Sequence, residues 1–225
     1  MSRALMLGSV GLLACCIQAS AQEREATHSY PQSPNMSFFV TSRGSGRGGD
    51  LGGLTGADQI CQQLATAAGA GSKKWRAYLS TDAYAPDGPI AARDRIGHGP
   101  WQNFKGDVIA RNVDDLHNAN NKINTQTGLT ELGAIIPPRG NTPLYHDMMT
   151  GATPEGGVFP SNLSMTCRNW TSSTTGSAMV GHVDRLGRTD TDQARSWNSS
   201  HQTSACSLEA LHAAGGNGLF YCFAE

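Results

Sequence analysis

The sequence predicts a single α+β domain with short helices, a mixed or antiparallel sheet and long loops. Charged residues are only 16% of the chain and 27 residues are Gly, which is typical of a loop-rich globular fold. Short β-rich runs separated by Gly, Asn, Thr and Pro fill the second half, whereas the clearest helical spacing lies early. The 225 residues suffice for a buried core, and no repeat period or linker interrupts residues 36–225.

The first 21 residues are predicted to be a signal peptide. Arg3 precedes the apolar run Ala4–Ile17, and Ala19-Ser20-Ala21 is a small-x-small cleavage site. The run is shorter than the roughly 20 residues that span a bilayer. Cys15 follows Leu12-Leu13-Ala14 in a pattern that resembles a bacterial lipobox, so lipidation of Cys15 is the alternative. We expect an exported chain without a membrane span, either secreted or held in the periplasm or outer envelope.

Residues 22–35 are predicted to be a flexible polar tether, and the folded domain is predicted to span 36–225. The β-rich run Ser37–Thr41 predicts the first strand. A helix is expected to start at Thr55, with Asp58 completing a capping-box-like pattern, and to end at Gly69-Ala70-Gly71.

The later elements are predicted from short apolar runs. We expect a short helix within 91–96 and a turn at 215–218, and strands at 75–80, 108–110, 134–136, 177–180 and 219–223. The helices are thus expected early in the chain and an antiparallel sheet late.

The cysteine count predicts two disulfides. Removal of the leader leaves Cys61, Cys167, Cys206 and Cys222, an even number in an oxidising compartment. Three connectivities are possible. No C-x-x-C pair is present, so a thiolate zinc site or a thioredoxin-type motif has no support.

Several motifs contain residue types that occur in binding or catalytic sites. Gly44-x-Gly46-x-x-Gly49 has the spacing of a dinucleotide-binding loop, but the expected helix begins too far on to bind a pyrophosphate. The glycines are therefore predicted to form a mobile turn. His146-Asp147 and His182-Val183-Asp184 can supply metal or acid–base groups, but such neighbours more often make surface hydrogen bonds, which is the interpretation favoured. No H-E-x-x-H or G-x-S-x-G motif occurs. The sequence therefore predicts no catalytic residue and no metal site.

The C-terminal third and the first helix carry a resemblance to a known fold. The pattern resembles the endostatin domain of certain collagens and small bacterial secreted proteins described as lectins, all of the C-type-lectin-like fold. It covers residues 36–225 and rests on these segments: Gly56–Gln63, Arg76–Ser80, Ala92–Arg95, Cys167–Trp170, Ser196–Ser199, Cys206 and Leu219–Phe223. The resemblance implies nested disulfides, Cys61 with Cys222 and Cys167 with Cys206. Trp170 and Trp197 are expected to pack in the core beside the second bridge.

The metal-binding motifs of C-type-lectin-like proteins are largely missing from this sequence. Calcium-dependent members carry Trp-Asn-Asp, whereas Ser199 follows Trp197-Asn198 here, and no Glu-Pro-Asn or Gln-Pro-Asp triplet occurs. Calcium thus remains possible without its usual carboxylates, and no cofactor is predicted. The zinc ligands of endostatin include His near its N-terminus, where this chain offers only His28. Arg93 and Arg95 match only a fragment of its heparin-binding face.

These observations predict an exported, non-catalytic binding module for a glycan or an extracellular protein. A net charge of −1 argues against nucleic acid as a partner. The expected ligand-facing residues lie in loops near the second bridge: Asp184, Arg185, Trp197, Asn198 and His201. A structural or adhesive envelope protein without a small-ligand site is the first alternative, and an exported hydrolase is the second.

Overall fold

The computed structural model describes residues 1, 31–160 and 162–225. The predicted signal peptide beyond Met1, Cys15 and tether residues 22–30 lie outside the described residues. The last tether residues contact the domain, since the Ser33 N–H donates to the Phe104 carbonyl at 2.7 Å. In the described part of the chain, no helix is long and apolar enough to cross a membrane.

The principal feature is a six-stranded mixed sheet, with a separate two-stranded sheet beside it. The strands are β1 Phe38–Val40, β2 Trp75–Ala77, β3 Trp101–Gln102, β4 Val108–Ala110, β5 Asp147–Met149, β6 Met179–His182, β7 His201–Gln202 and β8 Gly216–Ala224. The order is β1-β8-β5-β6-β7, with β2 also pairing with β8, and β3 pairs with β4. The β5–β8 pair is parallel and the others are antiparallel. The predicted α+β class with short helices and a mixed sheet is confirmed.

Helices are few and short. They are α1 Gly53–Ala67, α2 Val113–Leu116, α3 Cys167–Trp170 and α4 Leu208–Ala214, and a single 3₁₀ turn forms at Ala92–Asp94. α3 is one left-handed turn, because φ is positive at each of its four residues. α4 begins at the N-cap Ser207, whose hydroxyl accepts from the Ala210 N–H, and ends at Gly215 with φ +119°.

The long strand β8 divides the core into two layers. Phe220, Cys222 and Ala224 point into one layer, which the buried face of α1 covers. Leu219, Tyr221 and Phe223 alternate into the other, as the period of a strand requires. Trp170 and Trp197 are buried, as predicted. Trp170 packs in the layer that contains the second bridge, whereas Trp197 packs in the other layer, so its predicted place beside that bridge is wrong.

The disulfides pair Cys61 with Cys222 and Cys167 with Cys206, as the resemblance implies. The glycine-rich loop packs against the second bridge. A Cβ on Gly49 would lie 2.5 Å from Cys167 Sγ, and one on Gly48 would lie 2.2 Å from the Cys206 carbonyl oxygen. These glycines therefore permit close packing beside a disulfide.

The predicted capping box at Thr55 is wrong. α1 begins two residues earlier, after Gly52 with φ +77° and no side-chain cap. The Asp58 carboxylate instead binds Arg76 at 2.7 Å and Arg95 at 2.9 Å, which ties α1 to β2 and the 3₁₀ turn. Asp58 thus forms long-range ion pairs and does not cap the helix.

Three further predictions are wrong. Residues 134–136 form only an isolated bridge, Leu129 with Ile135, because Pro137 and Pro138 follow immediately and cannot donate to a ladder. The predicted turn at 215–218 instead contains Gly215, the C-cap of α4, and the first residues of β8. The order of helices before sheet also fails, since β1 and β2 pair with the last strand and α4 lies near the C-terminus.

Candidate metal and ligand site

One end of the mixed sheet gathers three histidines around a carboxylate. Asp147 is the first residue of β5 and lies opposite His182, the last residue of β6. His201 begins β7, the next strand along, and His146 immediately precedes β5. These four residues, called here the His/Asp cluster, come together through strand pairing between distant parts of the chain.

The imidazole Nε2 atoms converge on the Asp147 carboxylate. His146 Nε2 lies 3.2 Å and His182 Nε2 lies 3.3 Å from Asp147 Oδ1, and His201 Nε2 lies 3.4 Å from Asp147 Oδ2. The side chains of His146, Asp147 and His182 are at most 5% exposed, whereas that of His201 is 38% exposed. Three members are therefore buried, and His201 forms the side that faces solvent.

Three buried polar atoms at the centre of the cluster make no hydrogen bond. Among the described residues, neither Asp147 oxygen nor His182 Nε2 has a hydrogen-bond partner, although all are buried. The nitrogens are within ion-pair distance of the carboxylate without the alignment that a hydrogen bond needs. Unsatisfied buried polar groups are costly, so such a set calls for a physical explanation.

The hydrogen-bond partner of Nδ1 in each histidine determines whether Nε2 carries a lone pair. His146 Nδ1 lies 2.9 Å from Asp184 Oδ1, and His182 Nδ1 lies 2.7 Å from the Ala194 carbonyl oxygen. His201 Nδ1 makes a longer contact of 3.3 Å with the Gln202 carbonyl. Because these partners only accept, Nδ1 carries the proton and a neutral ring presents a lone pair at Nε2. Lone pairs and a carboxylate thus face one another.

Asp184 supports the cluster from outside. Its carboxylate accepts from His146 Nδ1, from the Arg139 N–H at 2.7 Å and from the Leu186 N–H at 2.9 Å. A carboxylate in this place fixes the tautomer and the orientation of a metal-binding imidazole.

The neighbours of both carboxylates lower their pKa values. Burial acts to raise the pKa of Asp147, but the His182 and His201 imidazoles, when they carry a proton on Nε2, outweigh burial and lower that pKa. Burial also opposes ionisation of Asp184, yet the hydrogen bonds from His146, Arg139 and Leu186 lower its pKa. Asp147 raises the pKa of His201, with burial acting in the opposite direction.

The donor set and its spacing fit a divalent transition metal. His146, Asp147 and His182 can each offer one ligand atom within 4.8 Å of the others. A tetrahedral zinc site with bonds of about 2.0–2.1 Å separates its ligands by about 3.3 Å. The contacts between imidazoles and carboxylate, at 3.2–3.4 Å, match that separation. The His146 and His182 rings stack with their centroids 4.3 Å apart, so the two ring edges meet Asp147 side by side.

The cluster lies at a cavity of about 880 Å³, within the size range of small-molecule sites. His146, His182 and His201 contribute to its wall. The other polar side chains around it include Arg139, Tyr145, Arg188, Thr189, Gln193 and His212.

The five residues predicted to face a ligand divide between two places. Asp184 and His201 belong to the His/Asp cluster or its support. Arg185, Trp197 and Asn198 line a separate cavity of about 280 Å³. There the Asn198 amide donates to Tyr78 Oη and to the Thr153 and Pro154 carbonyls, and Arg185 Nε donates to the Ile123 carbonyl. These contacts connect loops of the fold.

Sequence reasoning considered His146, Asp147 and His182 but assigned the His-Asp neighbours to surface hydrogen bonds. That interpretation is wrong, since these side chains are buried and face one another. The strand β5, which brings Asp147 to the cluster, was not predicted. The available signal was the recurrence of His beside Asp twice in one chain, once next to the apolar run Met148-Met149 and once after Met179-Val180.

No protein-family model and no curated protein matches this chain. Function is therefore inferred from the His/Asp cluster and the cavity above it.

Proposed function

We propose that this chain is a metal-dependent ligand-binding domain. His146, Asp147 and His182 hold one divalent transition-metal ion, His201 completes the donor set, and a ligand enters the adjoining cavity. One observation carries the proposal: a buried carboxylate without a hydrogen-bond partner among the described residues faces three imidazole nitrogens at 3.2–3.4 Å. A cation there would satisfy every one of these atoms.

Zinc is the first candidate for the ion. Imidazole nitrogens with one carboxylate oxygen suit zinc and its neighbours in the first transition row, whereas calcium prefers six to eight oxygen ligands. The proposal therefore departs from the sequence-based expectation of no metal. His201 is the most exposed of the four donors, so it is the ligand that an incoming group would displace.

The wider proposal keeps the C-type-lectin-like fold, export from the cell, and a glycan or an extracellular protein as partner. The two nested disulfides support it, because their pairing follows the resemblance and such bridges persist in oxidising compartments. A purely adhesive protein would instead use the metal to hold β5, β6 and β7 together.

Metal-assisted hydrolysis is the second candidate. The half-exposed His201 favours it, since a ligand that leaves would open a coordination position toward the cavity. Zinc-dependent turnover of an ester or phosphoester, lost in His182→Ala, would establish hydrolysis. Ligand binding without turnover would favour the binding domain.

The metal itself is tested by zinc titration of the purified chain after EDTA treatment. We expect one zinc per chain by elemental analysis and higher thermal stability with zinc, by about 4 kcal/mol when zinc reaches a thousand times its dissociation constant. Asp147→Asn and His182→Ala are expected to lose both effects. His98→Ala, which removes an exposed imidazole elsewhere, is the matched control and should retain both.

Comparison with EDTA separates metal loss from misfolding. The variants should keep the circular dichroism spectrum of the wild-type chain in EDTA and differ only when zinc is added. Equal zinc affinity in wild type and Asp147→Asn, or no zinc bound by the wild type, would overturn the proposal.

A further inference from the structure

We infer that the ligand of the cavity carries an oxyanion, a carboxylate or a phosphate group, that bridges the metal ion and the side chains of Arg139 and Arg188. This inference rests on the proposed function and specifies the chemistry of its ligand. The juxtaposition that carries it is two exposed arginines and the metal-binding histidines on the wall of one cavity.

The charge of the cavity wall is one-sided. Its lining contains two arginines and four histidines together with several hydroxyl groups, and no Asp or Glu is present among the described lining residues. Neither the Arg139 nor the Arg188 guanidinium forms an ion pair within residues 31–160 and 162–225, whereas Arg47, Arg76, Arg93, Arg95, Arg111 and Arg195 all do. Two arginines without an ion pair among the described residues therefore line the same cavity.

Arg188 and His201 line the same cavity. A divalent ion beside Asp147 and the supporting Asp184 would bring the local formal charge near zero. The two arginines would then leave an excess of positive charge over the cavity. An oxyanion complements it, because a guanidinium can bind a carboxylate or phosphate through two parallel hydrogen bonds.

Asp184 holds the arginine loops and the metal ligand together. It accepts from the backbone N–H of Arg139 itself and from that of Leu186, two residues before Arg188. The same carboxylate contacts His146 Nδ1. One buried group therefore sets the positions of a metal ligand and of both loops, which is the preorganisation that a joint metal–arginine site requires.

The test measures binding of D-glucuronate, D-glucose and inorganic phosphate to the zinc-loaded chain by calorimetry. Glucuronate tests a carboxylate, phosphate tests the other source of an oxyanion, and glucose is the neutral counterpart of glucuronate. We expect glucuronate or phosphate to bind and glucose to bind at least tenfold more weakly. Arg139→Gln and Arg188→Gln should each weaken oxyanion binding at least tenfold without changing zinc stoichiometry.

Arg43→Gln removes an exposed arginine outside the cavity and is the matched control, which should bind as the wild type does. If the chain holds one zinc but binds neither glucuronate nor phosphate, the inference is overturned and the proposed metal site stands. Oxyanion binding unaffected in both arginine variants would also overturn it. Failure to bind zinc at all would be seen first, by elemental analysis, and would overturn the proposed function together with this inference.

Discussion

At the scale of single residues, the proton on Nδ1 decides what each imidazole can do at Nε2. His146 and His182 each direct Nδ1 to an acceptor with no proton of its own, at 2.9 and 2.7 Å. The opposite nitrogen then carries a lone pair toward Asp147. A cation bound among these atoms would interact favourably with the lone pairs and with the carboxylate at once.

Asp184→Asn tests a positioning residue. The amide keeps one acceptor oxygen but loses the charge and cannot serve all three donors that Asp184 now serves. We expect zinc affinity to fall about 10- to 100-fold, the usual cost of losing such outer support, with the stoichiometry still one. Competition with a chromogenic chelator measures it.

The control for this substitution is Asp87→Asn, at an exposed carboxylate outside the cavity. Zinc affinity should be unchanged there. An unchanged affinity in Asp184→Asn would show that His146 does not depend on Asp184 for its orientation.

Only part of the His/Asp cluster could be predicted from the sequence. Asp184 and His201 were predicted to face a ligand, but from their place near the second bridge and not from metal chemistry. Asp147 meets His182 only through pairing of β5 with β6, and β5 has three residues, of which the first is acidic. A run so short carries no period of its own, so burial of the two His-Asp neighbours had no local signal.

At the scale of elements, α3 is the most unusual segment. Its four residues have φ between +47° and +65°, a left-handed turn that costs about 1–2 kcal/mol for each residue with a Cβ. Surrounding contacts hold it: Cys167 is in a disulfide, Trp170 Nε1 donates to the Ser80 carbonyl, and the Thr166 hydroxyl accepts from the Asn169 N–H. The disulfide and the bond to Ser80 come from distant parts of the chain, so no local sequence rule predicts this conformation.

Arg168→Gly is expected to stabilise the domain. Arg168 is exposed with φ +56°, where Gly has no steric penalty, and the gain exceeds the extra entropy of Gly in the unfolded chain. We expect the free energy of unfolding to rise by about 0.5–1 kcal/mol in urea denaturation. Arg43→Gly, at an exposed residue with ordinary φ, should instead lower it slightly. A loss of stability in Arg168→Gly would mean that its side chain contributes more than the turn costs.

Asp82 connects the loop after β2 to α3 and gives the fold a dependence on acid. Its buried carboxylate accepts from Asn169 Nδ2 at 2.9 Å and from the Thr166 hydroxyl at 3.0 Å. Burial acts to raise the pKa of Asp82, but these bonds and others from Tyr84 and Ser164 outweigh burial and lower it. A lowered pKa means that the stabilisation is complete above the unfolded value, about 3.9, and is lost as pH falls through the folded value.

Urea unfolding of the wild type and Asp82→Asn from pH 7 to pH 3 measures that contribution. The wild type should be more stable at pH 7. The difference should shrink below about pH 4, where the unfolded chain takes up a proton at Asp82 while the lowered pKa keeps the folded carboxylate ionised to lower pH. Asp87→Asn, at an exposed carboxylate, should show no such change with pH. A constant difference between wild type and Asp82→Asn at every pH would mean that the charge of Asp82 does not stabilise the fold.

At the scale of the whole molecule, the two disulfides close different parts of the chain. Cys61–Cys222 joins α1 to β8 across 161 residues, so it links the two ends of the domain. Cys167–Cys206 closes 39 residues, a segment that contains β6, His182, Asp184 and His201. The pairing was implied by the resemblance, but its relation to the His/Asp cluster appears only once the strands are placed.

Removing each disulfide in turn should show how much each bridge affects the free energy of unfolding and how much it affects zinc affinity. In the chain-entropy model, Cys167→Ala/Cys206→Ala lowers the free energy of unfolding by about 4 kcal/mol and Cys61→Ala/Cys222→Ala by about 5 kcal/mol. Zinc affinity, compared at a temperature where both variants keep the wild-type circular dichroism spectrum, should fall more in the first, since Cys167–Cys206 closes the shorter loop, which carries His182 and His201. Equal zinc affinities in the two variants would mean that β6 and β7 hold their ligands without the bridge, and that strand pairing alone preorganises the site.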